Sequence, residues 1–160
     1  MDYKTDRIGS CVIGENPTLL VKMKSGFAVI ADNQFLPGYC ILLGYPQADS
    51  LNALSLEERA QYLTDMTLIG DAIIKTCAPL RINYETLMNL DNYLHTHIQP
   101  RYEWESDEYK FGPPFSYPKE MRYTPEYEFS EEKYGELKCK LRDNLLDLMK
   151  QAGYDISDIK

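Results

Sequence analysis

This chain of 160 residues lacks several features that mark large classes of proteins. No apolar run approaches the ~20 residues that cross a bilayer, so we expect no membrane partner. Basic residues are in deficit, with 17 Lys and Arg against 25 Asp and Glu and a formal charge of −8. Because a phosphate backbone needs clustered cations, this balance disfavours a nucleic-acid polymer as a partner.

The sequence also lacks a secretory signal and a closely spaced cysteine pair. Its first ten residues, MDYKTDRIGS, are mixed in charge and have no apolar core. The four cysteines, at positions 11, 40, 77 and 139, are widely scattered and predict no metal or redox centre. They indicate reduced thiols in a cytoplasmic protein. A hydrophobic fraction of 44% in 18.5 kDa is enough for one domain with a buried core.

Five short segments have the composition and spacing of β-strands. Ser25-Gly26 is a turn signal between the first two and predicts a hairpin. A longer segment with helical spacing separates the third strand from the fourth, so the order β-β-β-α-β-β predicts an α+β protein with a mainly antiparallel sheet. The predicted strands cover residues 18–23, 27–32, 39–45, 80–87 and 92–99.

Two helices are predicted from capping residues and apolar periodicity. Ser55 and Glu58 have the spacing of a capping box, and the helix that follows is stopped by Pro79. Ser130 caps the second helix, which Gly153 ends. The first helix is expected to bury Leu56, Ala60, Leu63, Thr67, Gly70, Ile74 and Cys77, and the second Tyr134, Leu137, Leu141, Leu145 and Leu148.

Residues 102–129, between the last predicted strand and the second helix, are rich in proline and aromatic residues. Flexible linkers are seldom so aromatic. The segment is therefore expected to wrap the surface of the domain with its rings docked on it.

Histidine is scarce, and both histidines lie close together in NLDNYLHTHIQPRYEWE, residues 89–105. Strand alternation places His95 and His97 on one face of a strand, where they can act together. Three interpretations are open. The pair could be ordinary strand residues, or a half-site for zinc or iron completed by Asp91 or Glu85. In the third, one imidazole attacks phosphorus and the other handles the proton of the leaving group.

At these residues the sequence resembles the histidine triad (HIT) superfamily. YLHTHIQPRY, residues 93–102, resembles its signature His-φ-His-φ-His-φ-φ followed by Pro-Arg. FAVIADNQFLPGYCILL, residues 27–43, is similar to its ribose-binding segment, and INYETLMN, residues 82–89, to the strand that brings an Asn close to the triad. The resemblance runs from about Cys11 to Trp104. The remainder, with PRYEWE and FSEEKYGELK, looks like a bacterial branch akin to diadenosine tetraphosphate hydrolases.

The resemblance implies that His95 is the nucleophile and that His97 is the third histidine of the triad. Tyr93 stands where the superfamily has its first histidine, which supports the nucleophile through hydrogen bonds. A tyrosine hydroxyl can donate or accept a hydrogen bond but cannot carry the positive charge of an imidazolium at neutral pH. The substitution leaves two outcomes open, which are activity with an altered rate or pH dependence, and binding without catalysis.

Other roles follow from the resemblance alone. Asp32 matches the acidic residue that takes the ribose hydroxyls, and Asn83 the Asn near the nucleotide. Asn89 lies where the family places a side chain that reaches the phosphates, and Arg101 could help to hold phosphate.

Together these features imply a HIT-like α+β fold with a core in residues 1–104 and a C-terminal extension, residues 105–160, packed on the same domain. They imply a homodimer and a hydrolase or transferase that forms a nucleotidyl-histidine, with diadenosine polyphosphate-type substrates favoured. No cofactor is expected to be required, and a divalent metal that accompanies the nucleotide is an open alternative. The rival hypotheses are a non-catalytic nucleotide-binding protein and a metal-binding protein that uses His95 and His97.

Overall fold

The computed structural model describes residues 2–157 and contains one five-stranded antiparallel sheet. The strand order is β1-β2-β3-β5-β4, so the strand that carries both histidines is central and lies between β3 and β4. This architecture confirms the predicted α+β class. The strands are β1 (Leu19–Lys22), β2 (Gly26–Ile30), β3 (Cys40–Gly44), β4 (Arg81–Glu85) and β5 (His95–Arg101).

The two predicted helices are both present, with the predicted caps. Ser55 and Glu58 form the capping box, and the Ser130 side chain accepts from the backbone N–H of Lys133. Three further helices, one near the N-terminus and two within residues 105–129, were not predicted. In chain order the helices are α1 (Arg7–Val12), α2 (Leu56–Cys77), α3 (Asp107–Lys110), α4 (Lys119–Arg122) and α5 (Glu131–Gln151). Among the described residues, no helix is long and apolar enough to span a membrane.

The main core lies between one face of the sheet and the helices α2 and α5, which pack against each other. The stripe predicted for α5 is confirmed, since Leu141 and Leu145 are buried there. The face predicted for α2 is largely wrong, because Gly70 is buried but five other predicted residues are exposed, namely Leu56, Ala60, Leu63, Thr67 and Ile74. The residues that α2 buries are Tyr62, Asp65, Ile69, Gly70, Ala72 and Ile73.

A buried carboxylate explains why α2 turns a different face to the sheet from the one predicted. Asp65 is fully buried, and its oxygens accept hydrogen bonds from the backbone N–H and hydroxyl of Ser25, from Gln61 and from the hydroxyl of Tyr154. A buried charge is tolerated only when its hydrogen bonds are satisfied, as they are here. This network ties α2 to the β1–β2 turn and to the end of α5, and thereby fixes which face of α2 meets the sheet.

The opposite face of the sheet carries the histidines. In β5 the residues Thr96 and Ile98 face the core, while His95, His97 and Gln99 alternate with them on the other face. The strand continues through Pro100 to Arg101, two residues further than predicted. A proline fits there because β3 pairs with β5 only as far as Ile98, so no N–H is needed at residue 100 on that side.

Arg101 fastens the aromatic segment to the end of β5. Its side chain is 2% exposed and forms an ion pair with Glu105, with 2.9 Å between Nη2 and Oε1. The remaining guanidinium hydrogens are donated to the side-chain oxygen of Asn83 and to the carbonyls of Tyr109 and Gly112. Glu105 also accepts from the hydroxyl of Tyr117, so both ends of the segment 105–117 are held by one buried charge pair.

Replacing Glu105 by Ala should destabilise the protein by about 3–5 kcal/mol, because it leaves the buried Arg101 guanidinium without its counter-charge. Equilibrium unfolding in urea measures this loss. Glu103→Ala is the matched control. Glu103 is 81% exposed and lies 3.4 Å from Lys110, so its removal should cost less than about 1 kcal/mol. Equal effects of the two substitutions would show that the buried pair does not hold the segment.

Candidate functional site

A cavity of about 610 Å³ lies over the histidine face of the sheet. One wall comes from α1 and from the residues that follow β2, another from the loop between β4 and β5, and a third from residues 115–123. Five of the seven predicted site residues line it, namely Asp32, Asn89, Tyr93, His95 and His97.

His95 is 7% exposed, and its orientation is fixed by the main chain. Its Nδ1 lies 2.8 Å from the backbone carbonyl oxygen of Tyr93. A carbonyl oxygen can only accept a hydrogen bond, so Nδ1 must carry the ring proton. The other ring nitrogen, Nε2, then keeps its lone pair and has no hydrogen-bond partner among residues 2–157. This is the arrangement that a nucleophilic imidazole needs.

His97 is held by a residue that the sequence analysis did not single out. The hydroxyl of Tyr39 lies 2.5 Å from Nδ1 of His97. Burial raises the pKa of Tyr39, so the hydroxyl keeps its proton and donates it to Nδ1. His97 is thereby left with its proton on Nε2, where it is a hydrogen-bond donor. Both histidines leave Nε2 free, as an acceptor in His95 and as a donor in His97, and their ring centroids are 5.1 Å apart.

The charge state of His97 follows from its surroundings. Burial, and next the nearby His95, lower the pKa of His97 from 6.5 to about 4. Both causes act against the positively charged form of the ring. At neutral pH His97 is therefore uncharged, and it can donate a hydrogen bond but is a weak source of protons.

Tyr93 contributes its backbone more than its hydroxyl. Its ring packs beside the ring of His95 at 5.1 Å between centroids, and its carbonyl is the acceptor for His95 Nδ1. Any residue at position 93 has this carbonyl. A tyrosine at position 93 therefore orients His95 as well as any other residue would.

Asp32 lies at the cavity but is already engaged. Its Oδ2 is 2.6 Å from Nη2 of Arg7, and its Oδ1 accepts from the hydroxyl of Tyr3 at 3.2 Å. Helix α1, which carries Arg7, packs on β2 and β3 through Cys11. The N-terminal segment thus closes the Asp32 side of the cavity and occupies both oxygens predicted to take ribose hydroxyls.

The structure does not bring Asn83 and Arg101 to the cavity, in contrast to the expectation that both contact the nucleotide. They bond to each other at 2.9 Å, and every guanidinium nitrogen of Arg101 is used within the protein. A buried arginine whose donors are all satisfied has none left for a phosphate. The geometry assigns both residues to anchoring the segment that follows β5.

Several cavity residues were missed by the sequence analysis. Tyr39 follows Pro37-Gly38 in the segment 27–43, and nothing in that pattern indicated that its hydroxyl would contact a histidine. Phe115, Lys119 and Arg122 belong to the segment that was expected only to wrap the surface. The clustering of aromatic and basic residues there was the available signal, but its position over the histidines depends on the Arg101–Glu105 pair.

Gln99 is fully buried, and neither its Oε1 nor its Nε2 has a hydrogen-bond partner among the described residues. It follows His97 on the same face of β5, and Oε2 of Glu85 is likewise buried without a partner there.

No group of three or more His, Cys, Asp or Glu within residues 2–157 is placed to hold a metal ion. The proposed half-site of His95 and His97 thus lacks a third ligand from those residue types in the described part of the chain.

Comparisons with known proteins give structural matches only. No protein-family model matches the sequence, and no curated protein matches it. A histidine triad protein from Sinorhizobium meliloti has a similar structure, with a TM-score of 0.69 and 16% identity over 90% of this chain and 95% of that one. A hypothetical histidine triad nucleotide-binding protein from Sulfolobus tokodaii gives 0.69 and 15%, over 92% and 96%.

A zinc-bound histidine triad family protein from Mycobacterium smegmatis is also similar, with a TM-score of 0.61 and 16% identity over 89% of this chain and 94% of that one. Identities this low establish the fold and not the chemistry. The chain therefore has the fold of the histidine triad proteins, as the resemblance implied.

The imidazole of His97 should titrate near pH 4. The unfolded chain takes up the His97 proton near pH 6.5, so unfolding becomes easier as the pH falls from 6.5 toward 4. This loss should amount to about 3 kcal/mol at most. NMR titration of the ring protons, assigned with His97→Gln, measures the midpoint. A His97 midpoint near 6.5 would contradict the buried, neutral ring.

Proposed function

We propose that this chain, which has the histidine triad fold, is a nucleotide hydrolase or transferase that acts at the α-phosphate of a nucleoside polyphosphate or nucleotide conjugate. The observation that carries the proposal is the hydrogen bond from His95 Nδ1 to the carbonyl of Tyr93. It leaves the Nε2 lone pair available in a cavity large enough for a nucleotide.

In the first step Nε2 of His95 attacks the α-phosphorus and forms an N–P bond. The bond from phosphorus to the leaving group breaks, and its electron pair departs with the leaving group. His97 donates an Nε2–H hydrogen bond to the departing atom. In the second step water, or another acceptor, attacks the same phosphorus and releases the nucleotide from His95. Asn89, in the loop that lines the cavity, would donate a hydrogen bond to the charged phosphate oxygens.

The nucleoside would bind toward α1, where Asp32 lies. Ribose hydroxyls donate well to a carboxylate, and the bond from Tyr3 to Asp32 is long enough, at 3.2 Å, to be exchanged for one of them. Arg7 can keep its contact with the other oxygen. Adenosine as the base and diadenosine polyphosphates as the favoured substrates rest on the family resemblance, as does a homodimer.

The four cysteines are free in the structure, which is compatible with the proposed cytoplasmic location. No cofactor is part of the proposed reaction, and a divalent metal would enter only with the nucleotide phosphates.

Replacing His95 by Ala should lower kcat/KM for a fluorogenic adenylyl substrate by about 10³-fold or more, because the nucleophile is lost. His97→Ala should lower it by roughly 10²-fold, since it removes a hydrogen-bond donor and not the attacking atom. Initial rates measured with and without a chelator provide the data. Full activity of His95→Ala would rule out the proposed nucleophile.

Tyr93→Phe is the matched control, because it keeps the carbonyl that orients His95. Its activity should stay within about threefold of the parent, because the Tyr93 hydroxyl forms no hydrogen bond within residues 2–157. If the parent protein binds adenosine nucleotides in calorimetry but turns over no faster than His95→Ala, it is a non-catalytic nucleotide-binding protein. Zinc or iron in stoichiometric amount by elemental analysis, lost in His97→Ala, would instead indicate the metal-binding protein.

A further inference from the structure

The wall of the cavity formed by residues 115–123 is basic, although the chain as a whole is acidic. It contributes Lys119 and Arg122, both on helix α4, together with the rings of Phe115 and Tyr123. Two carboxylates, Asp32 and Asp91, line the cavity, and both lie in other walls. A local excess of positive charge in an acidic protein favours an anionic ligand at that wall.

Arg122 is fixed in place but retains unused donors. Its Nε donates to the carbonyl of Tyr117 at 3.0 Å, and its guanidinium lies over the rings of Phe115 and Tyr123 at 5.2 and 5.3 Å from their centroids. No hydrogen bond or ion pair from Nη1 or Nη2 occurs within residues 2–157. An arginine held through Nε and stacked on rings presents its terminal nitrogens as a fork, the geometry that suits phosphate oxygens.

Lys119 lies one helical turn before Arg122 on the same short helix. It is exposed and has no ion-pair or hydrogen-bond partner among the described residues. Glu85 is near this wall, since the charge of Arg122 acts on it, but burial raises the pKa of that carboxyl. Its side chain comes within 4 Å of neither cation, so their charge is available to a ligand.

The position of this wall relative to the histidines identifies which part of a substrate it would meet. Phe115 packs edge-on against the ring of His97, with centroids 5.1 Å apart. Asp32 and Arg7 belong to the wall built from α1 and the residues after β2, and neither forms a hydrogen bond or ion pair with Lys119 or Arg122 within residues 2–157. In the proposed reaction the departing atom accepts a hydrogen bond from His97, so the leaving group would lie near Phe115 and Arg122.

We propose that Arg122 and Lys119 form a subsite for a phosphate-bearing leaving group, so that this protein cleaves phosphoric anhydrides in preference to nucleotide conjugates of amines. This rests on the proposed function, which it deepens by naming the substrate class. The residues lie outside both the His95–His97 pair and the predicted nucleotide contacts.

The chemistry of the two kinds of leaving group supports this assignment. When an anhydride is cleaved, the bridging P–O bond breaks and its electron pair stays on an oxygen of the departing phosphate. That oxyanion needs no proton, but it gains from nearby cations. An amine must take up a proton to depart, and the neutral His97 supplies one poorly. The site therefore combines a weak acid, His97, with the positive charges of Lys119 and Arg122, and this combination favours a phosphate leaving group over an amine.

The test compares two adenylyl substrates that share the nucleoside and differ in the leaving group. One is a diadenosine polyphosphate and the other is an adenosine phosphoramidate of an uncharged amine. Arg122→Gln and Lys119→Gln should each lower kcat/KM for the polyphosphate by roughly tenfold or more, the scale of a hydrogen bond to a charged group. For the phosphoramidate the change should stay within about twofold. Lys150→Gln, which removes an exposed charge at the end of α5, is the control.

Structural damage is separated from loss of charge in two ways. The Lys119 side chain has no hydrogen bond or ion pair within residues 2–157 that its replacement would break, and Arg122→Lys keeps the charge while it loses the Nε bond to Tyr117. Partial recovery in Arg122→Lys supports an electrostatic role. Equal losses on both substrates, or no loss on either, would overturn the proposed subsite.

Failure of the proposed function is distinguishable from failure of the subsite, because it would abolish turnover of both substrates in the parent protein. If the parent protein cleaves neither substrate, binding of inorganic pyrophosphate is measured by calorimetry on the same variants. Weaker binding by tenfold or more in Arg122→Gln and Lys119→Gln, but not in Lys150→Gln, would support the subsite without catalysis. Equal binding by all of them, or none by the parent, would contradict it.

Discussion

The hydrogen bond between Nδ1 of His95 and the carbonyl of Tyr93 determines what the cavity can do. An imidazole free to rotate or to exchange its proton between nitrogens would be a poor nucleophile, because only one tautomer has its lone pair toward the substrate. Here a main-chain acceptor two residues earlier fixes both the proton and the ring. Since a backbone carbonyl is present whatever the side chain, this interaction explains how position 93 can hold a tyrosine without loss of the arrangement.

The second constraint is the buried pair of Arg101 and Glu105, which sets the position of the third wall. The pair holds the segment after β5 against the sheet, and Phe115 packs on the ring of His97 as a result. Without it, Lys119 and Arg122 would have no defined place beside the histidines. A charge pair far from the chemistry thus supports the basic wall, and the Pro-Arg that ends the motif is a structural element of this protein.

Much of the fold follows from local sequence rules. The capping box at Ser55, the Ser130 cap and the alternation of β5 are short-range signals, and all are found in the structure. The buried face of α2 was predicted wrongly because it was assigned from a stripe that did not include Asp65, which is fully buried. Its burial depends on Ser25 and Tyr154, which are distant in sequence and cannot be matched to it by periodicity.

The candidate site was likewise predictable only in part. His95 and His97 were predictable as partners because a spacing of two fixes their common face. The hydrogen bonds of Arg101 within the protein were not predictable. Its acceptors include the backbone carbonyls of Tyr109 and Gly112, and a carbonyl is present at every residue. Short helices such as α4 carry little sequence signal, because four residues are too few to show a period.

The central claim is that His95 bonds covalently to phosphorus. Rapid mixing with a diadenosine polyphosphate, a quench under conditions that preserve N–P bonds, and intact-mass analysis test it directly. The account predicts a protein species heavier by one nucleotidyl group, absent in His95→Ala, with the added mass on the peptide that contains His95. Substrate turnover without any such species at early times, or an adduct mapped to another residue, would contradict it.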